Sequence, residues 1–271
     1  MTPGVNKMIQ SSTIVPPFAN KEVKKNKYVL DGKDYFRVTS ILSAINKPAL
    51  IGWKANITLD KARRSLQANV GKQVTIDDGF IEEIIEGARA EPDYILGTAR
   101  DFGSEAHHAL EQYILHGAAP SHVDLFRVIQ AFNEWTVEQN VNVLREAEVT
   151  VAHSYGFAGT IDAIGTKVDD EELVVIDWKT SGGIYPEAML QVSAYAAALT
   201  EMTKVPVSEA WIVRFPREAP KADEPMFYYA RLGTEQLKRN FDLFMAASAL
   251  YTGIMLKAGS DKLHDGTGRL K

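Results

Sequence analysis

Two aspartates and a lysine lie within one short stretch of the chain: Asp162, Asp177 and Lys179. Carboxylate oxygens are hard ligands of the kind that Mg²⁺ binds, and a bound divalent ion activates water and neutralises charge on a phosphate. A nearby ammonium stabilises the negative charge that develops in such a reaction. These residue types therefore fit a site for a divalent metal. The alternative interpretation is an ordinary Lys–Asp salt bridge on a solvated sheet face.

The pattern around these residues predicts a β-hairpin. Phe157–Thr166 and Leu173–Thr180 have the composition of strands, and an Asp-Asp pair in Val168–Glu172 supplies turn chemistry. If the turn is centred within that pair, Asp162 faces Asp177 directly. The Cβ atoms of such cross-strand partners lie about 4.5–5.5 Å apart.

The two-residue period of a strand places Lys179 on the same face as Asp177, with Ile176 and Trp178 on the other face. Two carboxylates held this close repel each other, so we expect a cation between them, either the lysine or a divalent metal. A register shift of one residue would move Asp162 to the opposite face.

Two predicted helices carry further polar side chains. The helix from Gly97 to Gly117 begins with a capping-box-like Thr98 and ends at a glycine typical of a C′ position. One stripe of this helix carries four polar residues at helical spacing: Arg100, Ser104, His107 and Glu111. His108 lies about 100° away from His107, so the two histidines cannot easily reach one ion. A single helical histidine is more often a surface residue than a metal ligand.

The helix from Pro186 to Leu199 places Gln191 and Tyr195 one turn apart on one face. A glutamine among apolar residues usually needs only a hydrogen-bond partner, and this is the alternative to a role in a site.

The remaining elements are read from periodicity and from cap and turn residues. We predict a hairpin over Lys27–Val38, helices over Ile41–Asn46, from Pro48 through Leu59, and over Val74–Ala90, Val123–Gln139 and Thr234–Leu256, and strands over Val143–Ala152, Ser208–Phe215 and Phe227–Leu232. Glu91-Pro92 is expected to end the acidic helix before it. The order predicts an α/β fold with a mixed sheet flanked by helices.

Composition narrows the class of protein. The chain has 271 residues, 45% of them hydrophobic and 24% charged, and no cysteine, which excludes disulfides and cysteine-ligated iron–sulfur clusters. The chain has no apolar run of membrane-spanning length and no signal-peptide pattern, so we expect a soluble, cytoplasmic protein without a membrane partner. The first 64 residues hold 12 Lys and Arg against 4 Asp and Glu, a net charge of +8. This basic run is either a solvated surface or a contact for phosphates.

Four motifs in order resemble the PD-(D/E)xK nuclease superfamily. They are G-T-x-D at Gly159–Asp162, D-W-K at Asp177–Lys179, Q-x-x-x-Y at Gln191–Tyr195, and the upstream G-x-x-x-H-x-x-x-E of Gly103 to Glu111. The resemblance is to the RecB-like exonuclease branch, which includes phage and mitochondrial genome-maintenance exonucleases. The Val38–Ile41 segment, followed by Lys47-Pro48 and Trp53, also looks like the lead-in of those members, so the match covers about residues 28–215. Ile161 replaces the proline that gives the motif its name, and the iron–sulfur cysteines of some relatives are absent.

The resemblance implies a restriction-endonuclease-like core, ordered helix-strand-strand-strand-helix-strand, with a helical N-terminal elaboration. The domain organisation expected from it is a flexible arm at 1–20, one nuclease domain at 21–260 and a tail at 258–271. Within the domain we expect the elaboration at 21–96, the catalytic core at 97–232 and a C-terminal helix at 233–257.

The resemblance also implies the site residues. His107, Asp162, Asp177 and the carbonyl of Trp178 would bind one or two Mg²⁺ or Mn²⁺ ions, and catalysis would rest on Asp162, Asp177 and Lys179. Residues that would brace the site or contact DNA are Gln191, Tyr195, Glu111, Arg100, Ser104 and Thr180. Which further acid completes the site is left open among Glu111, Glu105 and Glu148.

The predicted function is that of a divalent-metal-dependent DNA exonuclease that acts on ends or single strands in recombination, repair or phage DNA metabolism. A nucleic-acid clamp without turnover is one alternative. A metallohydrolase of small phosphate esters that uses His107 and Glu111 is another, although this pair is a weak metal signal without a third ligand. Strand polarity, strand preference, exonuclease or endonuclease mode, and oligomeric state are left open.

Overall fold

The computed structural model describes residues 14–15, 17–45, 47–167 and 172–260. Most of the predicted arm, the hairpin turn at 168–171 and the end of the predicted tail lie outside these residues. The elements in chain order are β1 (Lys21–Val23), β2 (Lys27–Leu30), β3 (Lys33–Arg37), α1 (Val38–Leu42), α2 (Pro48–Gln67), α3 (Asp78–His116), α4 (Val123–Glu138), β4 (Val141–His153), β5 (Phe157–Lys167), β6 (Leu173–Lys179), α5 (Pro186–Thr203), β7 (Val207–Arg214), β8 (Tyr228–Gly233) and α6 (Thr234–Ser260).

The chain divides into two compact units. One unit is Asn46–Ser104, and the other joins the N-terminal 45 residues to Glu105–Lys271. In the smaller unit, Lys54 lies 2.8 Å from Asp93 and Lys61 lies 2.9 Å from Glu91. The division into elaboration, core and C-terminal helix stays a prediction.

The larger unit contains a mixed sheet in the order β1-β2-β3-β5-β6-β7-β8, with β4 paired to β5. The β3–β5 and β6–β7 pairs are parallel, and the other pairs are antiparallel. Helices flank this sheet, so the predicted α/β class is confirmed.

Strand β5 has different neighbours along its length. β4 follows one edge of β5 from Phe157 to Lys167. On the other edge, β3 pairs with the first two residues of β5, and β6 pairs with Ala163–Thr166. The residues Gly159–Asp162 therefore lie between the two pairings, which leaves space beside them for side chains.

The two faces of the sheet are buried by different helices. Val192 and Leu199 of α5 and Phe244 of α6 share one hydrophobic cluster with Val175 of β6 and Ile212 of β7. On the other side of β6, the ring of Trp178 makes edge contacts with Phe132 and Trp135 of α4, each at 5.6 Å between centroids. The alternation of β6 therefore places Trp178 and Asp177 on opposite faces, as predicted. Trp178 lies in the aromatic core, and Asp177 contacts Gln191 of α5.

Helix α3 differs from its prediction, because it continues through Pro92 as one helix of 39 residues. Thr98 does not start a helix, and its hydroxyl donates to the Tyr94 carbonyl within α3. Proline removes one helical hydrogen bond, yet the helix continues through it, and Glu91 and Asp93 on either side form ion pairs with α2. The helix ends where expected, since Gly117 has φ +69° and its N–H donates to Tyr113.

Two smaller predictions at the N-terminal side also need correction. Helix α1 spans Val38–Leu42 with Arg37 as its N-cap, so it begins three residues before the predicted start at Ile41. The short edge strand β1, which pairs with β2, was not predicted. Among the described residues, no helix combines the length and the apolar composition that a bilayer crossing requires.

Candidate metal centre and active site

The β5–β6 hairpin has the register that places Asp162 opposite Asp177. Ala163 pairs with Ile176 and Ile164 pairs with Val175, as expected from a turn centred at residues 169–170. The ladder ends at Ala163. One residue further on, the main-chain N–H of Trp178 donates to Oδ2 of Asp162 at 2.7 Å. The carboxylate thus takes the place of a main-chain acceptor where the two strands separate.

Asp177 is fully buried and forms an ion pair with Lys179, whose Nζ lies 2.6 Å from Oδ2. This Oδ2 has no partner in hydrogen-bonding geometry, while Oδ1 accepts a 3.1 Å hydrogen bond from Gln191. Burial raises the pKa of Asp177 to about 6 although Lys179 opposes the shift. Burial alone would lower the pKa of Lys179, but the two carboxylates outweigh it and raise that pKa.

His107 of α3 approaches the hairpin from the side, and its Nδ1 lies 3.3 Å from Oδ1 of Asp162. Burial disfavours the protonated imidazole, but the Asp162 charge and hydrogen bond outweigh this and raise the pKa of His107 to about 9. His108 instead lies 3.2 Å from Glu111. The two histidines therefore diverge, as the helical spacing predicts.

Glu148 of β4 completes a cluster that can hold a metal ion. Ligand atoms of His107, Glu148 and Asp162 all lie within 4.8 Å of one another. The β4–β5 register shifts between Val143 and Ala147, and Glu148 just after this bulge has φ +54°. Because the pairs on either side are Ala147–Ala163 and Val149–Ile161, Glu148 lies across from Asp162. Of the three acids considered from the sequence, the structure brings Glu148 to this cluster.

The charges around Glu148 favour a cation at this site. Burial and the charge of Asp162 raise the pKa of Glu148 to about 7, with Glu111 adding a smaller effect in the same direction. A divalent ion relieves repulsion of this kind. The donor set of one imidazole and several carboxylates fits Mg²⁺ or Mn²⁺, and the imidazole shifts the preference toward Mn²⁺.

The main-chain polar atoms of Trp178 point toward Asp162 and the candidate metal site. The Lys179 carbonyl accepts a hydrogen bond from Phe215 on the β7 side. The polar main-chain atoms of adjacent strand residues point to opposite edges, so those of Trp178 point toward β5, where its N–H meets Asp162. A ligand role for the Trp178 carbonyl stays a prediction that this orientation favours.

Gln191 and Tyr195 of α5 brace the buried aspartate. Gln191 donates to the Tyr195 hydroxyl at 3.0 Å as well as to Asp177, and its Oε1 lies 3.4 Å from the Lys179 ammonium. The Tyr195 ring lies directly against Gly159, where an added Cβ would overlap it. Gly159 of the G-T-x-D motif therefore leaves the space that the Tyr195 ring occupies, and the Tyr195 hydroxyl in turn positions Gln191.

These groups line a cavity of about 160 Å³. Its walls include His107, Asp162, Asp177, Lys179, Gln191 and Tyr195, and also Tyr28 and Arg37, which the sequence analysis did not select as site residues. In the sequence, the position of Arg37 directly before the Val38–Ile41 segment of the resemblance is the signal that could have pointed to it.

The other predicted residues lie elsewhere or at the margin. Glu111 contacts His108, and Glu105 is exposed. Thr180 follows Lys179 directly and is half-buried. Arg100 and Ser104 belong to the smaller unit, where the Ser104 hydroxyl donates to the Arg100 carbonyl. DNA-contacting roles for Arg100, Ser104 and Thr180 remain predictions.

Comparison with known proteins gives a family match over just under half of the chain. Residues 123–254 match the model of the PD-(D/E)XK nuclease superfamily. A comparison with curated proteins gives no match.

Three solved structures are similar at low identity. LHK-Exo in complex with dAMP is 17% identical, with 58% of this chain and 85% of that chain covered and a TM-score of 0.29. The alkaline exonuclease LHK-Exo from Laribacter hongkongensis is 14% identical, with 58% and 84% covered and a TM-score of 0.27. SSO0001 is 14% identical, with 74% and 87% covered and a TM-score of 0.30. The matched residues 123–254 contain the Asp162, Asp177 and Lys179 constellation, and this part of the chain is similar to the PD-(D/E)XK nuclease superfamily.

Proposed function

We propose that the protein is a divalent-metal-dependent deoxyribonuclease that acts as an exonuclease on DNA ends or single strands. The observation that carries the proposal is the cluster of His107, Glu148 and Asp162, whose ligand atoms lie within 4.8 Å of one another. The buried Asp177–Lys179 pair lines the same cavity as His107 and Asp162 of this cluster. A metal site with a neighbouring ammonium is a combination that suits metal-assisted hydrolysis of a phosphodiester.

In the proposed site, His107, Glu148 and Asp162 hold Mg²⁺ or Mn²⁺, with Asp177 and the Trp178 carbonyl as further ligands. When bound, the ion supplies a Lewis acid that neutralises phosphate charge and lowers the pKa of a water molecule. His107 must give up its proton to serve as a ligand, and its contact with Asp162 then orients the ring. The hydrogen bond from Trp178 keeps Asp162 in place throughout.

Lys179 has the role of stabilising negative charge on the phosphate. Its pKa is raised by the neighbouring carboxylates, which keeps the ammonium protonated. A protonated Lys179 donates hydrogen bonds to the phosphate oxygens, where charge develops in the transition state. Gln191 and Asp177 fix its position, since both contact Nζ.

Contacts to DNA are expected to be mainly to the phosphate backbone, with little base readout. The basic first 64 residues, Thr180, Arg100 and Ser104 are the proposed contributors outside the cavity. We place the activity in the cytoplasm, in recombination, repair or phage DNA metabolism.

The test is digestion of end-labelled DNA in Mg²⁺ or Mn²⁺, with and without EDTA. Linear, nicked and covalently closed circular substrates are compared, each in single- and double-stranded form where it exists. An exonuclease shortens linear strands from one end, leaves closed circles intact and is inactive in EDTA. Cleavage of closed circles would contradict the exonuclease mode. Wild-type protein that cleaves none of these substrates would refute the proposal as a whole.

A further inference from the structure

Arg37 is a charged residue of the cavity that the proposed chemistry does not use. It ends β3, where it pairs with Ala158 of β5, and its main-chain N–H donates to the Asn26 carbonyl at 3.0 Å. It is also the N-cap of α1. Its main chain is therefore fixed on three sides, and its side chain lines the same cavity as Asp162 and Lys179.

The guanidinium of Arg37 is incompletely satisfied. Its Nε is buried without a hydrogen-bond partner, and the group lies 5.8 Å from the centroid of the Tyr28 ring. The Tyr28 hydroxyl is already hydrogen-bonded to Thr160 at 2.9 Å, so the ring is fixed. A buried N–H of a charged group that lacks an acceptor is costly. Such a group is retained where a ligand supplies the acceptor.

The ion pairs of the site join Lys179 to Asp177 and His107 to Asp162, so among the described residues neither of these pairs uses Arg37. Arg37 is therefore available for an anion that enters from outside. The cavity of about 160 Å³ corresponds to about five water molecules, which is room for a phosphate group and not for a base pair.

We propose that Arg37 binds a phosphate of the DNA strand next to the scissile one. This inference rests on the proposed nuclease function. Lys179 lies with the carboxylates and serves the reacting phosphate, whereas Arg37 on the β3 wall holds the neighbouring phosphate and sets the position of the strand. A guanidinium suits this role, because its fork of donors matches two phosphate oxygens.

The test compares wild-type protein with Arg37→Met and Arg37→Lys. Binding of a fluorescent single-stranded oligonucleotide is measured by anisotropy in Ca²⁺ at several salt concentrations, and kcat and KM are measured in Mn²⁺. For Arg37→Met we expect Kd and KM to rise about tenfold or more, with kcat within about threefold of wild type. The slope of log K against log salt should fall by about 0.7, as for one lost contact on a single strand. Arg37→Lys should have intermediate values of Kd and KM, because an ammonium keeps the positive charge but lacks the forked pair of N–H donors of a guanidinium.

Arg239→Met is the matched control, since it removes the same charge from an exposed position of α6. It should change Kd less than Arg37→Met does.

The Tm of ligand-free Arg37→Met should equal or exceed that of wild type, because the substitution removes an unsatisfied buried group. A lower Tm would indicate a structural role and overturn the inference. Unchanged Kd and salt slope, or a collapse of kcat at unchanged KM, would also overturn it. Wild-type protein that neither binds nor cleaves DNA refutes the proposed function; wild-type activity with an equally active Arg37→Met refutes only this inference.

Discussion

The main-chain N–H of Trp178 donates a 2.7 Å hydrogen bond to Oδ2 of Asp162. This bond forms at the end of the β5–β6 ladder, next to the Ala163–Ile176 pair. It holds one carboxylate oxygen on the hairpin, while the other lies 3.3 Å from His107. The Trp178 ring is fixed in the aromatic core on the opposite face. The position of the candidate metal ligand is thus coupled to the packing of the sheet.

Asp162→Asn is predicted to separate fold from chemistry. The asparagine carbonyl can still accept the hydrogen bond from Trp178, so the Tm should change little, whereas the missing charge should lower the cleavage rate by about 100-fold or more. Rates on end-labelled linear DNA and thermal melting check both parts. Asp162→Ala should lose the activity and also part of the stability, because it leaves the Trp178 N–H unpaired. Full activity of Asp162→Asn would contradict the assignment.

Glu148 and Glu111 are predicted to differ as metal ligands. Glu148 belongs to the cluster with His107 and Asp162, while Glu111 contacts His108. Glu148→Gln should weaken Mn²⁺ binding at least tenfold in titration calorimetry, since even residues that only support ligands have effects of about that size. Glu111→Gln is the matched control and should change the affinity much less. Equal effects of the two substitutions would contradict the choice of Glu148.

The hairpin could be predicted because its determinants are local. Alternation fixed which residues of β6 share a face, and the turn position fixed the register that places Asp162 opposite Asp177. The spacing of His107 and His108 on one helix likewise predicted that only one of them meets the hairpin.

The residues that could not be placed depend on long-range structure. Glu148 reaches the site through a bulge in β4, and nothing in the residues 143–148 signals an irregular strand. Arg37 reaches the cavity because β3 pairs with the start of β5, a contact between segments far apart in sequence. Pro92 was read as a helix end because its local effect is strong, whereas α3 continues through it with ion pairs to α2 on either side of the proline.

Metal affinity is predicted to rise with pH. In the metal-free protein the pKa values of Asp177, Glu148 and His107 are raised to about 6, about 7 and about 9. A raised pKa means that the group holds its proton to higher pH, and each group must release it to bind a metal. The apparent Kd for Mn²⁺ should therefore fall at least tenfold between about pH 6 and pH 8. Titration calorimetry in buffers of different ionisation enthalpy measures both the affinity and the protons released.

The pH dependence has its own control. Glu148→Gln removes one of the groups that titrate, so fewer protons should be released per ion bound and the change of affinity with pH should be smaller. An affinity that is independent of pH in the wild type would show that these groups do not bind the metal.

Gly159→Ala is predicted to impair the site although residue 159 carries no functional group. An added Cβ would overlap the buried Tyr195 ring, and the Tyr195 hydroxyl is hydrogen-bonded to Gln191, which also holds Asp177. Overpacking of this kind costs about 1–3 kcal/mol, so both the Tm and the cleavage rate should fall. Gly253→Ala in α6 is the control, because no atom lies within 4 Å of its added Cβ and alanine favours the helix. The Tm of that variant should equal or exceed that of wild type at full activity. A Gly159→Ala protein with wild-type activity would show that the Gly159–Tyr195–Gln191 contacts do not position Asp177.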